Sequence, residues 1–330
     1  MIFIDAIATV RLQHRALHVS TADSGHVVAL LEEGSGSLVG PDYRVLKQFQ
    51  LSDPVKAVAI SSGRDLVAVI TEGALSIMHA GNLNVDARIT GSFESCLFRH
   101  SLLWTASRLS KTTASIEVRA IGNWRVLARV EVEDPFEDSA LMLFPQGNSD
   151  QIALWVAAGQ DGQCLYWARR DGSSIGIQQF PGLHDTTPPS FDGEGSRFLV
   201  VSGCDLKLYR YPSGPELRKV AWQLEDDLPG ECTAFIGPEH ALIHSGNGRL
   251  FLVDLRTGQI ADEVTIRGHE LKPIREHYPN LRQDIGVCSD LSTFARLPNG
   301  DIMSVHRELP TELVSHWRDQ LVFWRIPYSG

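Results

Sequence analysis

What the chain lacks narrows its identity before any motif is considered. No stretch approaches the roughly 18 consecutive apolar residues that a helix needs to cross a bilayer. The opening MIFIDAIATVRLQHR (1–15) has no basic start and meets Asp5 inside its apolar run, so it reads as a β-strand rather than a secretory leader. Positive charge is also in deficit: 30 Lys and Arg stand against 40 Asp and Glu, a formal net charge of −10. Without a concentrated basic face there is nothing to displace counterions from a phosphate backbone, so neither nucleic acid nor a membrane is an expected partner. The acidic balance favours solubility and steers toward basic partners. Paired cysteines are missing as well. The five, Cys96, Cys164, Cys204, Cys232 and Cys288, are odd in number, widely spaced and without a CxxC, a pattern of free thiols in a reducing compartment, here read as the cytoplasm.

Catalytic signatures are equally scarce. There is no GxSxG elbow and no HExxH helix. Gly34-Ser35-Gly36-Ser37 lacks the lysine and following helix of a phosphate-binding loop and reads as a hairpin turn. His184-Asp185 sets a histidine beside a carboxylate, but sequence neighbours on a strand point to opposite faces, so adjacency makes no dyad. The acidic stretch holding Glu131, Glu133, Asp134, Glu137 and Asp138 has no EF-hand spacing and reads as a solvated loop, like Glu225-Asp226-Asp227 further on. No cofactor and no metal are expected, and the chain is expected not to be an enzyme.

Helical periodicity is nearly absent too, and what replaces it carries the architecture. Hydrophobic residues make up 43% of the chain and glycines number 28, a globular, turn-rich composition. Short apolar runs between Gly, Asn, Asp, Ser and Pro clusters group at roughly 40–48 residues, the spacing of four-stranded blades. The unit 54–91 is clearest: VKAVAIS, LVAVIT and ALSIMHA are followed by the alternating outer strand NVDARI. Laid along the chain, this order predicts blades at 16–53, 54–91, 92–134, 135–182, 183–230, 231–275 and 276–330. The last blade lacks an outer strand, and 1–15 supplies a spare one, ATVRLQ (8–13). The expected fold is all-β: one β-propeller domain of seven four-stranded blades, with six or eight as alternatives, closed by the N-terminal strand pairing with the last blade. Closure hides sheet edges that invite aggregation.

The stretch LFLVDLRTGQIADEVTIRGH (250–269) adds a motif to this pattern: an apolar run ending in Asp254, a turn through Gly258, a second strand, then Gly268-His269. In this the chain resembles a divergent WD40-type β-propeller, with Val253-Asp254 standing where that family has Trp-Asp. Fainter matches are Met78-His79, Tyr209-Arg210 and Trp324-Arg325. The resemblance implies a structural role for Asp254, Gly258, Gly268 and His269. It also implies that His269 is held by an acidic residue in the turn between the second and third strands of blade 7.

Two segments interrupt the blade pattern, LKPIREHYPNLRQDI (271–285) and ELPTELVSHWRDQ (308–320). In the second, Pro310 is expected to open a helical turn with Leu313, His316 and Trp317 on one face. Long loops on a rigid scaffold are where binding residues gather. His277, Tyr278, Arg282, His316, Trp317 and Arg318 supply the aromatic and Arg side chains enriched at interface hot spots. The expected function is a non-enzymatic interaction scaffold or regulatory subunit that binds a protein or peptide partner on one face. The alternative is a propeller-type metal-dependent hydrolase or lactonase with its site in the central channel. The ends of inner strands such as VKAVAIS and CTAFIG offer few oxygen or nitrogen ligands for such an ion.

Overall fold

The computed structural model describes residues 1–63, 65–147, 150–158, 162–180, 183, 186–202, 205–211, 214, 216–221, 230–245, 249–269, 294–308 and 318–327. The fold is all-β and is a seven-bladed β-propeller; each blade is built on four antiparallel strands, which follow chain order in blades 1 to 6. Among the described residues the only helical element is a single 3-10 turn, Glu32–Gly34. None is a helix long and apolar enough to cross a membrane.

Two compact units make up the chain. Ala16–Asp185 holds blades 1 to 4. Blade 2 is typical, with strands Val55–Ile60, Leu66–Thr71, Ala74–His79 and Val85–Thr90. Within this unit a separate apolar cluster fills each space between successive blades: Val28, Val58 and Val67 between blades 1 and 2, Ile70, Leu75 and Phe98 between 2 and 3, and Trp104, Val118 and Leu154 between 3 and 4. Burying each such side chain contributes about 1.5–3 kcal/mol. The second strand of each blade is buried most completely, as in Leu66–Thr71, because it has strands on both edges and a neighbouring sheet against its faces. The outermost strands alternate, as in Val85–Thr90.

Met1–Arg15 with Thr186–Gly330 forms the other unit, blades 5 to 7. The expected closure is present: Ala6–Arg11 is the outermost strand of blade 7, antiparallel to Arg318–Trp324 with Thr9 opposite Val322. One feature exceeds the expectation. Ile2–Ile4 leaves blade 7 and joins blade 6 as a fifth strand, parallel to Gln259–Ile266 with Phe3 opposite Thr265. The N-terminal segment therefore ties two blades together. Ile4, Leu252, Val322 and Trp324 share the apolar cluster between them.

The structure also explains two sequence features. In Gly34-Ser35-Gly36-Ser37, Gly34 is a turn residue at φ +75°, while Gly36 lies inside the strand Ser35–Val39. A Cβ on Gly36 would overlap the ring of Phe49 on the adjacent strand, so the glycine is there for packing and not for phosphate. Gly36→Ala is expected to cost about 1–3 kcal/mol and Phe49→Leu in the same chain to recover part of it; urea unfolding of the single and double variants measures both. Asp134 corrects the solvated reading of its acidic stretch: it is 1% exposed. Its carboxylate accepts hydrogen bonds from Arg108 (2.9 Å), the Ser139 hydroxyl (2.7 Å) and the backbone N–H groups of Phe136 and Ser139 (both 3.1 Å). Arg108 reaches it from the strand Leu102–Ser110, a pairing that nothing local in the loop signals.

Candidate binding surface on blades 6 and 7

The motif residues at 254–269 lie at opposite ends of one strand. At one end, the Asp254 carboxylate accepts the backbone N–H groups of Arg256 (2.7 Å) and Thr257 (3.0 Å), and Gly258 closes the turn at φ +73°. The Thr257 and Arg256 N–H groups hold the Asp254 carboxyl below its usual range. The strand Gln259–Ile266 then runs the length of blade 6. At its far end Gly268 turns the chain at φ +76°, and the N–H of His269 donates to the Ile266 carbonyl. Asp254 and Gly258 are thus not brought together with His269.

His269 enters a polar cluster on blade 7. Its Nε2 hydrogen-bonds Thr9 Oγ1 at 3.0 Å, and its ring meets that of His306 edge-on with centroids 5.9 Å apart. Thr9 belongs to the N-terminal strand Ala6–Arg11 of blade 7. The turn of blade 7 on which the resemblance places an acidic partner lies outside the described residues. Beneath His269, Ser304 Oγ lies 2.7 Å from His306 Nε2 and accepts a hydrogen bond from Trp324 Nε1 at 2.9 Å. Alternation on Ile302–Glu308 points Ser304 and His306 to the same face. The second buried histidine, His244 on blade 6, has the ring of Phe294 edge-on at 5.9 Å.

Burial governs the chemistry of these rings. Removal from water pushes His306 down to about 3, and the neighbouring positive potential of His269 and His244 works in the same direction against a smaller opposing pull from the His269 carbonyl. Desolvation alone takes His244 down to about 4. Both are neutral at pH 7 and fit for hydrogen bonding and packing rather than proton transfer. Among the described residues no group of three or more His, Cys, Asp or Glu side chains is placed to hold a metal ion.

This cluster matters because both inserted segments leave from it. The first departs after His269 and returns at Phe294, which pairs with Ser304. The second is bounded by Glu308 and Arg318, directly opposite each other where the strands Ile302–Glu308 and Arg318–Trp324 end. The residues that flank the two segments, His269 after the last strand of blade 6 and Phe294, Glu308 and Arg318 on blade 7, thus lie around one end of blade 7, near Ser304 and His306. Of the candidate contact residues, Arg318 is the first residue of its strand and half-buried. His277, Tyr278, Arg282, His316 and Trp317 lie outside the described residues, as does the expected helical turn after Pro310.

Thr9, His244, Ser304 and His306 were not singled out by sequence. Each is a lone polar residue in an apolar strand, and only the pairing of distant strands reveals that they converge. In comparison with known proteins, no family model matches the chain and no curated protein matches it.

Proposed function

We propose that the protein is a non-enzymatic interaction module, a WD40-like propeller that binds a protein or peptide partner through the segments 271–285 and 308–320. The observation that carries this reading is that the residues flanking both segments, His269 and Phe294, Glu308 and Arg318, gather at one end of blade 7. The residue types along them support it, since Tyr278, Arg282, Trp317 and Arg318 are of the kinds that dominate interface energetics. A sheet end from which both segments leave suits recognition of an extended partner, and the net charge of −10 favours a basic one. We place the protein in the cytoplasm on the strength of its free thiols, Cys96 and Cys164 among the described residues.

Affinity purification from the native cell with the full chain as bait tests this. One stoichiometric partner is expected. Replacing 309–317 with a short Gly-Ser linker, or Tyr278 and Arg282 with Ala, should lower its recovery at least about tenfold. A partner bound equally well by both variants would remove these segments from the interface. Stoichiometric calcium or zinc in the purified chain would instead favour the hydrolase alternative.

A further inference from the structure

The fifth strand of blade 6 leaves a sheet edge unlike those of the other blades. Among the described residues Ile2–Ile4 is the outermost strand of its sheet, held by Gln259–Ile266 on one side only. The outermost strands of blades 1, 2, 3, 5 and 7 each carry a basic residue, Lys47, Arg88, Arg129, Arg218 and Arg11. That of blade 4 presents Gln178 and Gln179. Charged or polar edges of this kind discourage pairing with another chain. Residues 2–4 read Ile-Phe-Ile and carry no charge. Phe3 is 55% exposed, and next to this strand Met1 is 66% and Ile7 52% exposed.

The backbone at this edge is self-complementary. The Ile4 carbonyl accepts the N–H of Arg267 and so points into blade 6. Successive residues of a strand alternate their hydrogen-bonding direction, so the N–H and C=O of Phe3 point to the open side. An antiparallel strand centred on Phe3 of a second copy satisfies both groups of each chain at once. It sets Ile2 opposite Ile4 and places two Phe3 rings side by side, a favourable cross-strand pair. The charges agree with this arrangement. Each end of the strand carries an ion pair, the Met1 ammonium with Asp262 at one and Arg267 with Asp5 at the other, and rotation about Phe3 sets Met1 of one copy opposite Asp5 of its mate, so unlike charges face each other across the edge. Arg267 already stacks over Phe3, 6.0 Å from the ring centroid, and screens its outer face.

We propose that this edge is the docking site for a second copy of the chain, through antiparallel pairing of residues 2–4 across a two-fold axis at Phe3. The edge is three residues long, so the dimer is weak and reversible, with a dissociation constant on the order of 10–100 µM.

Sedimentation equilibrium of the full chain over a concentration series tests the proposal, with three variants. Phe3→Pro removes the outward N–H and leaves the inward bonds of Ile2 and Ile4 in place. Phe3→Lys puts a charge on the edge. Val85→Lys is the control on the outermost strand of blade 2. The wild type and Val85→Lys should dimerise alike, while both Phe3 variants raise the dissociation constant at least about tenfold, with circular dichroism and melting temperature unchanged. Should Phe3→Pro perturb the fold, Phe3→Lys decides the matter. A wild type that stays monomeric throughout the series overturns the proposal, and so does a dimer that neither Phe3 substitution weakens.

Discussion

Acidification from pH 7.5 to 4.5 is expected to remove about 5 kcal/mol of folding stability, most of it through His244 and His306. In the unfolded chain both imidazoles take up a proton near pH 6.5. In the folded protein they resist until about 4 and about 3 respectively, because burial penalises the charged ring. The unfolded state therefore binds more protons over this interval. The contribution of each histidine is complete above about pH 6.5 and declines as the pH falls toward the folded values, by about 2–3 kcal/mol each at pH 4.5. His18, also lowered by burial, acts in the same direction. Carboxylates such as Asp134, whose ionised form is favoured by the fold, lose their contribution only at lower pH. The two effects thus occupy different windows. Urea unfolding followed by tryptophan fluorescence at several pH values measures the loss. His306→Gln retains a group able to hydrogen-bond Ser304 but does not titrate, so it should remove about half of the pH dependence. A wild type equally stable at pH 7.5 and 4.5 would contradict the neutral, buried state of these rings.

Substitution of Asp134 by Ala is expected to cost about 3 kcal/mol, because it breaks a buried pair from one side. Burial opposes ionisation of this carboxyl, but the hydrogen bonds from Arg108, Ser139 and Phe136 outweigh it and hold it below its usual range. Without the carboxylate, Arg108 keeps its ion pair to Glu94 at 3.1 Å and its hydrogen bond to the Ser139 carbonyl, while the loop leading into blade 4 loses its anchor. Asp134→Asn retains an oxygen for some of the N–H groups and loses the charge, so its cost should be roughly half. Urea midpoints at pH 7 with unchanged m values would report stability alone. Equal costs for Ala and Asn would mean that the charge matters and the loop hydrogen bonds do not.

How much of this was legible in the sequence depended on how local the signal is. Strands such as LVAVIT (66–71) and ALSIMHA (74–80) announce themselves, because continuous apolar runs between turn residues suit strands covered on both faces. The pairing of Ala6–Arg11 with blade 7 followed from counting: one blade was a strand short and the N-terminus had one to spare. The parallel strand Ile2–Ile4 had no such accounting behind it, since blade 6 already possessed four strands. Asp134 was misjudged because its partner Arg108 lies across a hairpin, and an acidic stretch gives no sign of which carboxylate turns inward. Of the site, the two segments 271–285 and 308–320 were legible as breaks in the blade pattern. The histidine and serine cluster beneath them was not. His306 and Ser304 differ from any other polar residue in a strand only through contacts with Trp324 and His269, which the fold alone creates.

The most direct test of the account is site-specific photo-cross-linking in the native cell, with the reactive group placed in turn at 278, 317 and, as a control, 85. Cross-links from 278 and 317 to one and the same partner, with none from 85, are the predicted result. A partner captured from position 85 and from neither insertion would contradict the claim that this protein binds through the end of blade 7.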